Sequence, residues 1–251
     1  MSDEPTMNFW EHLEELRSTL IRALLAVIVA GVVCFMFKEP VFRLVLAPAK
    51  GNFFFLDWIG IDNPPIHLVN TQLTEQFMVH MKVALVCGLI VASPYVIYQL
   101  FRFVAPALYD NERRYSSVMV VASFVLFMVG VTINYLLIFP LTVRFLGTYQ
   151  VDASVQTMLT LNSYIDTLLL MCLMFGLMFE IPALSWLLAK IGVLRAEWMS
   201  RYRRHAIVVI LIVAAIITPT TDAFTLMIVS LPIWLLYEAS IGIVKISQKK
   251  Q

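Results

Sequence analysis

Two acidic stretches beside apolar runs carry the side chains most able to do chemistry in this chain. One is His12-Leu13-Glu14-Glu15-Leu16-Arg17, and the other is Phe103-Val104-Ala105-Pro106-Ala107-Leu108-Tyr109-Asp110-Asn111-Glu112-Arg113-Arg114. Carboxylates next to membrane spans offer a docking surface for a basic peptide. Two consecutive arginines in an extended peptide point to opposite sides, so a receptor for both needs acceptors on two separate elements. A juxtamembrane helix and a loop supply them, and a planar guanidinium binds a carboxylate through two hydrogen bonds, as lysine does not. Helical spacing gives Glu14 a partner in Arg17, whereas Glu15 meets only Ser18 and Thr19 at the same offsets. Glu15 and Glu112 are therefore the candidates. A solvated acidic helix start, favoured by the helix dipole, and an ordinary mixed-charge loop remain open as readings of the two stretches.

Glu180 stands ten residues before Lys190, about 15 Å along a helix and so near the middle of a bilayer. A charge there costs about 2.5–3.5 kcal/mol or more, which predicts a polar cavity, a protonated carboxyl or a structural hydrogen bond. Pro182 frees a backbone carbonyl and favours a kink beside it. Lys82 lies inside the second apolar run; snorkelling to the interface is favoured over a partner in the bundle. Glu238 is within reach of Lys245. His12, His67, His80 and His205 are scattered, and neither an H-E-x-x-H, a G-x-S-x-G nor a P-loop pattern occurs. This argues against an intramembrane protease or a nucleotide-driven pump, and no cofactor is implied. Cys34, Cys87 and Cys172 sit singly in apolar runs and read as buried thiols.

The elements that must position these groups are membrane helices. Of the 251 residues, 60% are hydrophobic and 14% charged, where soluble domains have about 45–50% and about 25%. A bilayer core about 30 Å thick takes about 20 helical residues. The apolar runs predict six spans, near 19–37, 73–101, 116–139, 163–190, 205–218 and 223–243, within one all-α membrane domain covering 1–251. The acidic start of the chain is unlike a cleaved secretory signal or a plastid transit peptide, so the first span is expected to be retained. Six spans put both termini on one side. That side receives thirteen of the 18 basic residues, and the opposite side has Lys38, Arg43, Lys50 and Arg144. The positive-inside tendency then places both termini in the cytoplasm.

Residues 38–72, with Pro40, Pro48, Pro64, Pro65 and the run Phe53-Phe54-Phe55-Leu56-Asp57-Trp58, predict an ordered outer cap with aromatics at the interface. The last two spans look short. Ala206–Ile217 would reach about 18 Å, and Ala223–Leu236 about 21 Å before Glu238 interrupts the run. Such a hairpin thins the bilayer or admits water. Its turn, Thr218-Pro219-Thr220-Thr221-Asp222, places Asp222 to cap the sixth helix.

In combination these motifs resemble the TatC family, the signal-recognition subunit of the twin-arginine protein translocase. The resemblance runs from about Phe9 to Lys245. It rests on the His12–Arg17 stretch, Ser93-Pro94-Tyr95-Val96-Ile97-Tyr98-Gln99 leading to Phe103, Ala105–Tyr109 with Glu112-Arg113-Arg114, Phe179-Glu180-Ile181-Pro182, and Thr218-Pro219 with Asp222. It implies a six-helix glove with a concave face in the bacterial cytoplasmic membrane. Twin-arginine signal peptides of folded precursors would bind there at Glu15 and Glu112, with Arg17 and Phe103 assisting, and Pro48 would matter for the outer cap. Small single-span partners of the TatA and TatB type would dock along the last two spans near Thr218, with Asp222 and Thr225 close by, in a larger self-associating complex driven by the proton gradient. Leu226 stands where the family often has glutamine, and Ala215 where a larger side chain occurs; Thr225 would compensate. A secondary transporter or proton channel using Glu180, Lys82 and Asp222 is the rival from another class. A membrane scaffold indifferent to Glu15 and Glu112 is a second.

Overall fold

The computed structural model describes residues 9–51, 53, 60, 65–104, 113–148, 152, 158–218 and 222–248. Helix α1 runs Phe9–Met36, so the acidic stretch and the first span form one continuous helix. A short α2, Lys38–Val45, and a 3-10 turn, Ala47–Ala49, follow. Strand β1, Leu68–Val69, precedes the 30-residue α3, Glu75–Val104. Helix α4, Arg113–Ile133, passes through a π-helical turn, Asn134–Ile138, into α5, Phe139–Thr148. Strand β2, Leu159–Thr160, leads to α6, Leu161–Phe179, which a single turn residue, Glu180, separates from α7, Ile181–Lys190. Helices α8, Ala196–Arg201, α9, Arg203–Ile217, and α10, Ala223–Gln248, complete the chain.

Among the described residues, five stretches are long and apolar enough to cross a bilayer: Leu13–Met36, Glu75–Phe103, Val118–Gly147, Leu161–Lys190 and Ala223–Gln248. Their outward faces carry large exposed apolar side chains, such as Leu24, Leu25, Val29 and Val32 on α1 and Leu231 and Leu235 on α10. In water such a belt would be a liability; in hydrocarbon it costs nothing. The core is built where α3, α5, α6, α9 and α10 meet, around Val79, Val83, Phe139, Ile165, Phe175, Ile217 and Val229.

The hairpin expectation needs correction. Helix α9 has 15 residues, about 22 Å, and is short as expected. Helix α10 has 26 residues, about 39 Å, and is not. Glu238 does not end it, because Arg203 Nη2 donates to Glu238 Oε2 at 2.9 Å. That bond also replaces the expected pairing with Lys245. The third span likewise continues nine residues past 139. Pro140 cannot donate a backbone hydrogen bond, and the π turn just before it widens the helix so that the chain passes the proline without breaking.

Lys82 does not snorkel. Its Nζ lies 2.7 and 2.9 Å from the Asp166 carboxylate oxygens and 3.0 Å from Asn162 Oδ1, which ties α3 to α6. Two turns back, Glu75 is buried and makes a clamp that its local sequence does not announce. Its Oε2 accepts from Thr71 N, Thr71 Oγ1 and Gln72 N, and its Oε1 accepts from Asn162 N at 2.8 Å. Strands β1 and β2 pair in parallel at the same end, Leu68 opposite Leu159. Replacing Glu75 by alanine is expected to leave three backbone N–H groups unpaired and lower the thermal midpoint of the purified protein, with Glu75→Gln intermediate.

The outer cap is ordered where it is described. Pro48 is buried within the 3-10 turn, and Ile66 N donates to Ala49 O at 2.8 Å. Phe53 is buried edge-on against Tyr135; residues 54–58 lie outside the described residues. Asp222 caps α10 as expected, its Oδ1 accepting from Thr225 N at 2.8 Å.

Candidate functional site

Helices α1 and α3 run antiparallel and touch backbone to backbone. A Cβ placed on Gly88 would lie 2.4 Å from Gly31 N. This close crossing, made possible by two glycines, is what brings the start of α1 beside the end of α3. There a cavity of about 280 Å³ opens, lined by Glu14, Glu15, Ser18, Thr19 and Arg22 of α1 and by Gln99 and Arg102 of α3. Both walls are helical, so the groups are held by packing and not by a loop.

Within it, Glu15 Oε2 is buried and has no hydrogen-bond partner among the described residues. Glu14 is exposed and lines the same cavity. A buried carboxylate oxygen left unpaired is costly unless a donor arrives. The cavity therefore suits a cationic group with several N–H donors. Arg17 is exposed on α1 and is not part of the lining, and Phe103 is half-buried at the end of α3. Glu112 lies outside the described residues.

A second cavity, of about 320 Å³, opens on another face of α3, between α3, α4, α6 and α7. Its lining is nearly all apolar: Leu89, Val96, Leu100, Phe127, Leu177 and Leu184 are among the walls, and Glu180 is the one carboxylate. Glu180 sits at the break between α6 and α7, where Pro182 occupies the first turn of the new helix. Its Oε1 is buried, and the polar group that meets its carboxyl is the Ser123 hydroxyl on α4. The predicted interruption at Pro182 is thus present; of the alternatives predicted for Glu180, the polar cavity is absent, and the contact with Ser123 on a neighbouring helix agrees with the structural hydrogen bond.

At the α9–α10 hairpin, Thr218 and Thr225 are buried and their hydroxyl oxygens have no partner among the described residues. Leu226 is partly buried against the core and Ala215 is half-buried. Sequence reasoning gives no role to Gln99, Arg22, Arg102, Glu75 or Asp166. Only the first carries a signal, because the family motif Ser93–Gln99 includes it.

A bundle of long apolar helices, with one polar and one apolar cavity opening along α3, defines a multi-pass membrane protein. The family described as Sec-independent protein translocase protein (TatC) matches residues 11–232. Among the relatives, the TatC protein of Koribacter versatilis is 36% identical over 237 residues, 94% of this chain and 84% of that one. That of Aquifex aeolicus is 32% identical over 246 residues, 98% of each. A crystal structure of the twin-arginine translocase receptor TatC superposes with a TM-score of 0.80 at 33% identity, covering 95% of this chain and all of that one. The chain belongs to the TatC family. It is a component of twin-arginine protein translocation and a part of the Tat translocase complex, in a family of translocase subunits and not of catalysts.

Proposed function

We propose that this chain is the subunit that reads twin-arginine signal peptides of folded precursors, and that the cavity between α1 and α3 takes one of the arginines. The observation that carries this reading is a cavity of about 280 Å³ lined by Glu14 and Glu15, with Glu15 Oε2 buried and unpaired among the described residues. The related solved structures are those of twin-arginine translocase receptors, which supports the same assignment. Glu112 supplies the second carboxylate, Arg17 and Phe103 flank the peptide, and Pro48 holds the outer cap.

The apolar segment behind the arginine pair lies along the second cavity, against Val96 and Leu100 of α3, with the α6–α7 break at Glu180 as the far wall. Helix α9 crosses as a sixth, short span, giving the glove with its concave face and both termini in the bacterial cytoplasm. The thin bilayer around α9 lowers the barrier to passage. Single-span TatA and TatB type subunits dock along α9 and α10 near Thr218, Asp222 and Thr225, in a larger complex powered by the proton gradient.

Binding of a signal peptide carrying Arg-Arg or Lys-Lys to the purified protein tests the reading. Glu15→Ala and Glu112→Ala are each expected to weaken the Arg-Arg peptide by tenfold or more, since a hydrogen bond to a charged group contributes about 1.5–3 kcal/mol. Equal binding of all combinations would refute it. The rival ion path has less support: Lys82 is engaged by Asp166, and Asp222 caps α10. Solute flux through the purified protein alone would revive it.

A further inference from the structure

The cavity beside α1 holds a second acceptor that charge patterning does not reveal. Gln99 is only 3% exposed, yet it lines the cavity together with Glu15 and Thr19. Its Nε2 donates to the Tyr95 hydroxyl at 2.6 Å, one helical turn back. With the amide in this orientation, Oε1 is buried without a partner among the described residues. Glu15 Oε2, on the facing helix, is in the same condition.

Native proteins leave few buried acceptors unpaired, and these two belong to side chains that line the two walls of one cavity, where a donor reaching both would satisfy them. A guanidinium carries five N–H donors in a rigid plane, whereas an ammonium is a compact point charge. Either cation can sit against Glu15. The planar fork is better shaped to keep its charge on Glu15 while a second edge reaches an oxygen on α3. We propose that Gln99 is a specificity-determining residue, its amide oxygen accepting an N–H from the arginine held by Glu15, so that the cavity prefers arginine to lysine. Tyr95 is a positioning residue, because its hydroxyl keeps the amide oxygen turned inward. The inference rests on the cavity being the arginine site.

The test compares affinities of Arg-Arg and Lys-Lys signal peptides for the full-length purified protein and for Gln99→Met, Tyr95→Phe and Glu15→Ala. Gln99→Met is expected to weaken the Arg-Arg peptide roughly tenfold or more while changing the Lys-Lys peptide less than about twofold. Tyr95→Phe frees the amide to rotate and lowers the Arg-to-Lys ratio in the same direction, which keeps the proposal testable if Gln99→Met does not fold. A merely structural role would weaken both peptides by the same factor, and that result, or an unchanged ratio in both variants, overturns the proposal. Glu15→Ala separates the two levels. If it spares Arg-Arg binding, the cavity is not the arginine site and the assignment to Gln99 falls with it. If it abolishes binding while Gln99→Met and Tyr95→Phe keep the ratio, only the role of Gln99 is wrong.

Discussion

Gly88→Val separates α1 from α3 and removes peptide binding, although position 88 is about three helical turns from the cavity. A Cβ at this position would meet Gly31 N at 2.4 Å and Gly31 Cα at 2.5 Å. Those are backbone atoms, so no rotamer change relieves the clash. Overpacking of a side chain that can yield costs about 1–3 kcal/mol; here the whole of α1 must move, and the loss should be at the upper end or beyond. The thermal midpoint of the purified protein and its affinity for an Arg-Arg peptide should fall together. Gly242→Ala is the control. Its Cβ would have nothing within 4 Å, and alanine in a helix interior is favoured over glycine by about 1 kcal/mol, so that variant should be as stable as the parent or more so. A stable Gly88→Val protein that binds peptide normally would show that α1 is not placed by this crossing.

Glu180→Leu should make the protein more stable and nearly inactive in transport. The carboxyl borders a cavity whose other walls are almost all hydrocarbon, and one of its oxygens is buried, with the Ser123 hydroxyl the polar group that meets the carboxyl. Leucine removes the desolvated carboxyl and adds apolar contact, which should raise the thermal midpoint by a few degrees. Transport of a folded precursor into vesicles should drop at least tenfold, while Arg-Arg peptide binding at the α1–α3 cavity stays within about twofold of the parent. A residue that reduces stability and is nonetheless present at such a site is explained by what it does when a ligand or proton arrives. Transport at the parental rate in Glu180→Leu would end the case for a role.

The long helices are legible because hydrocarbon demands apolar runs of a length the eye can count. Groups whose meaning depends on distant partners mislead. Glu238 looks like the end of the last span, yet Arg203, 35 residues earlier in the chain, neutralises it and the helix continues. Lys82 looks like an interfacial side chain because Asp166, 84 residues away, carries no local sign of facing it. The apolar run predicts a third span ending at 139, just before Pro140, and the π turn that lets the helix continue has no simple sequence signature. Asp222 reads correctly as a cap because its partner, Thr225 N, is three residues away. At the candidate site, the charge pattern picks out Glu15 through the absence of a local counter-ion. It does not find Gln99, a buried side chain that lines the same cavity and is tied to Tyr95 one turn back.

The hydrogen bonds that link α3 to α6 gather at one end of the bundle, through Glu75, Asn162, Lys82, Asp166 and the β1–β2 pair. Helix α3 is about 45 Å long, and the cavity with Gln99 is near its far end. It is thus a lever with its fulcrum on one face of the membrane and its load on the other. A tilt of about 5° at the pinned end carries the far end by about 4 Å on such an arm, comparable with the thickness of a stacked planar group. Small displacements near the pinned end are therefore geometrically magnified at the α1–α3 cavity.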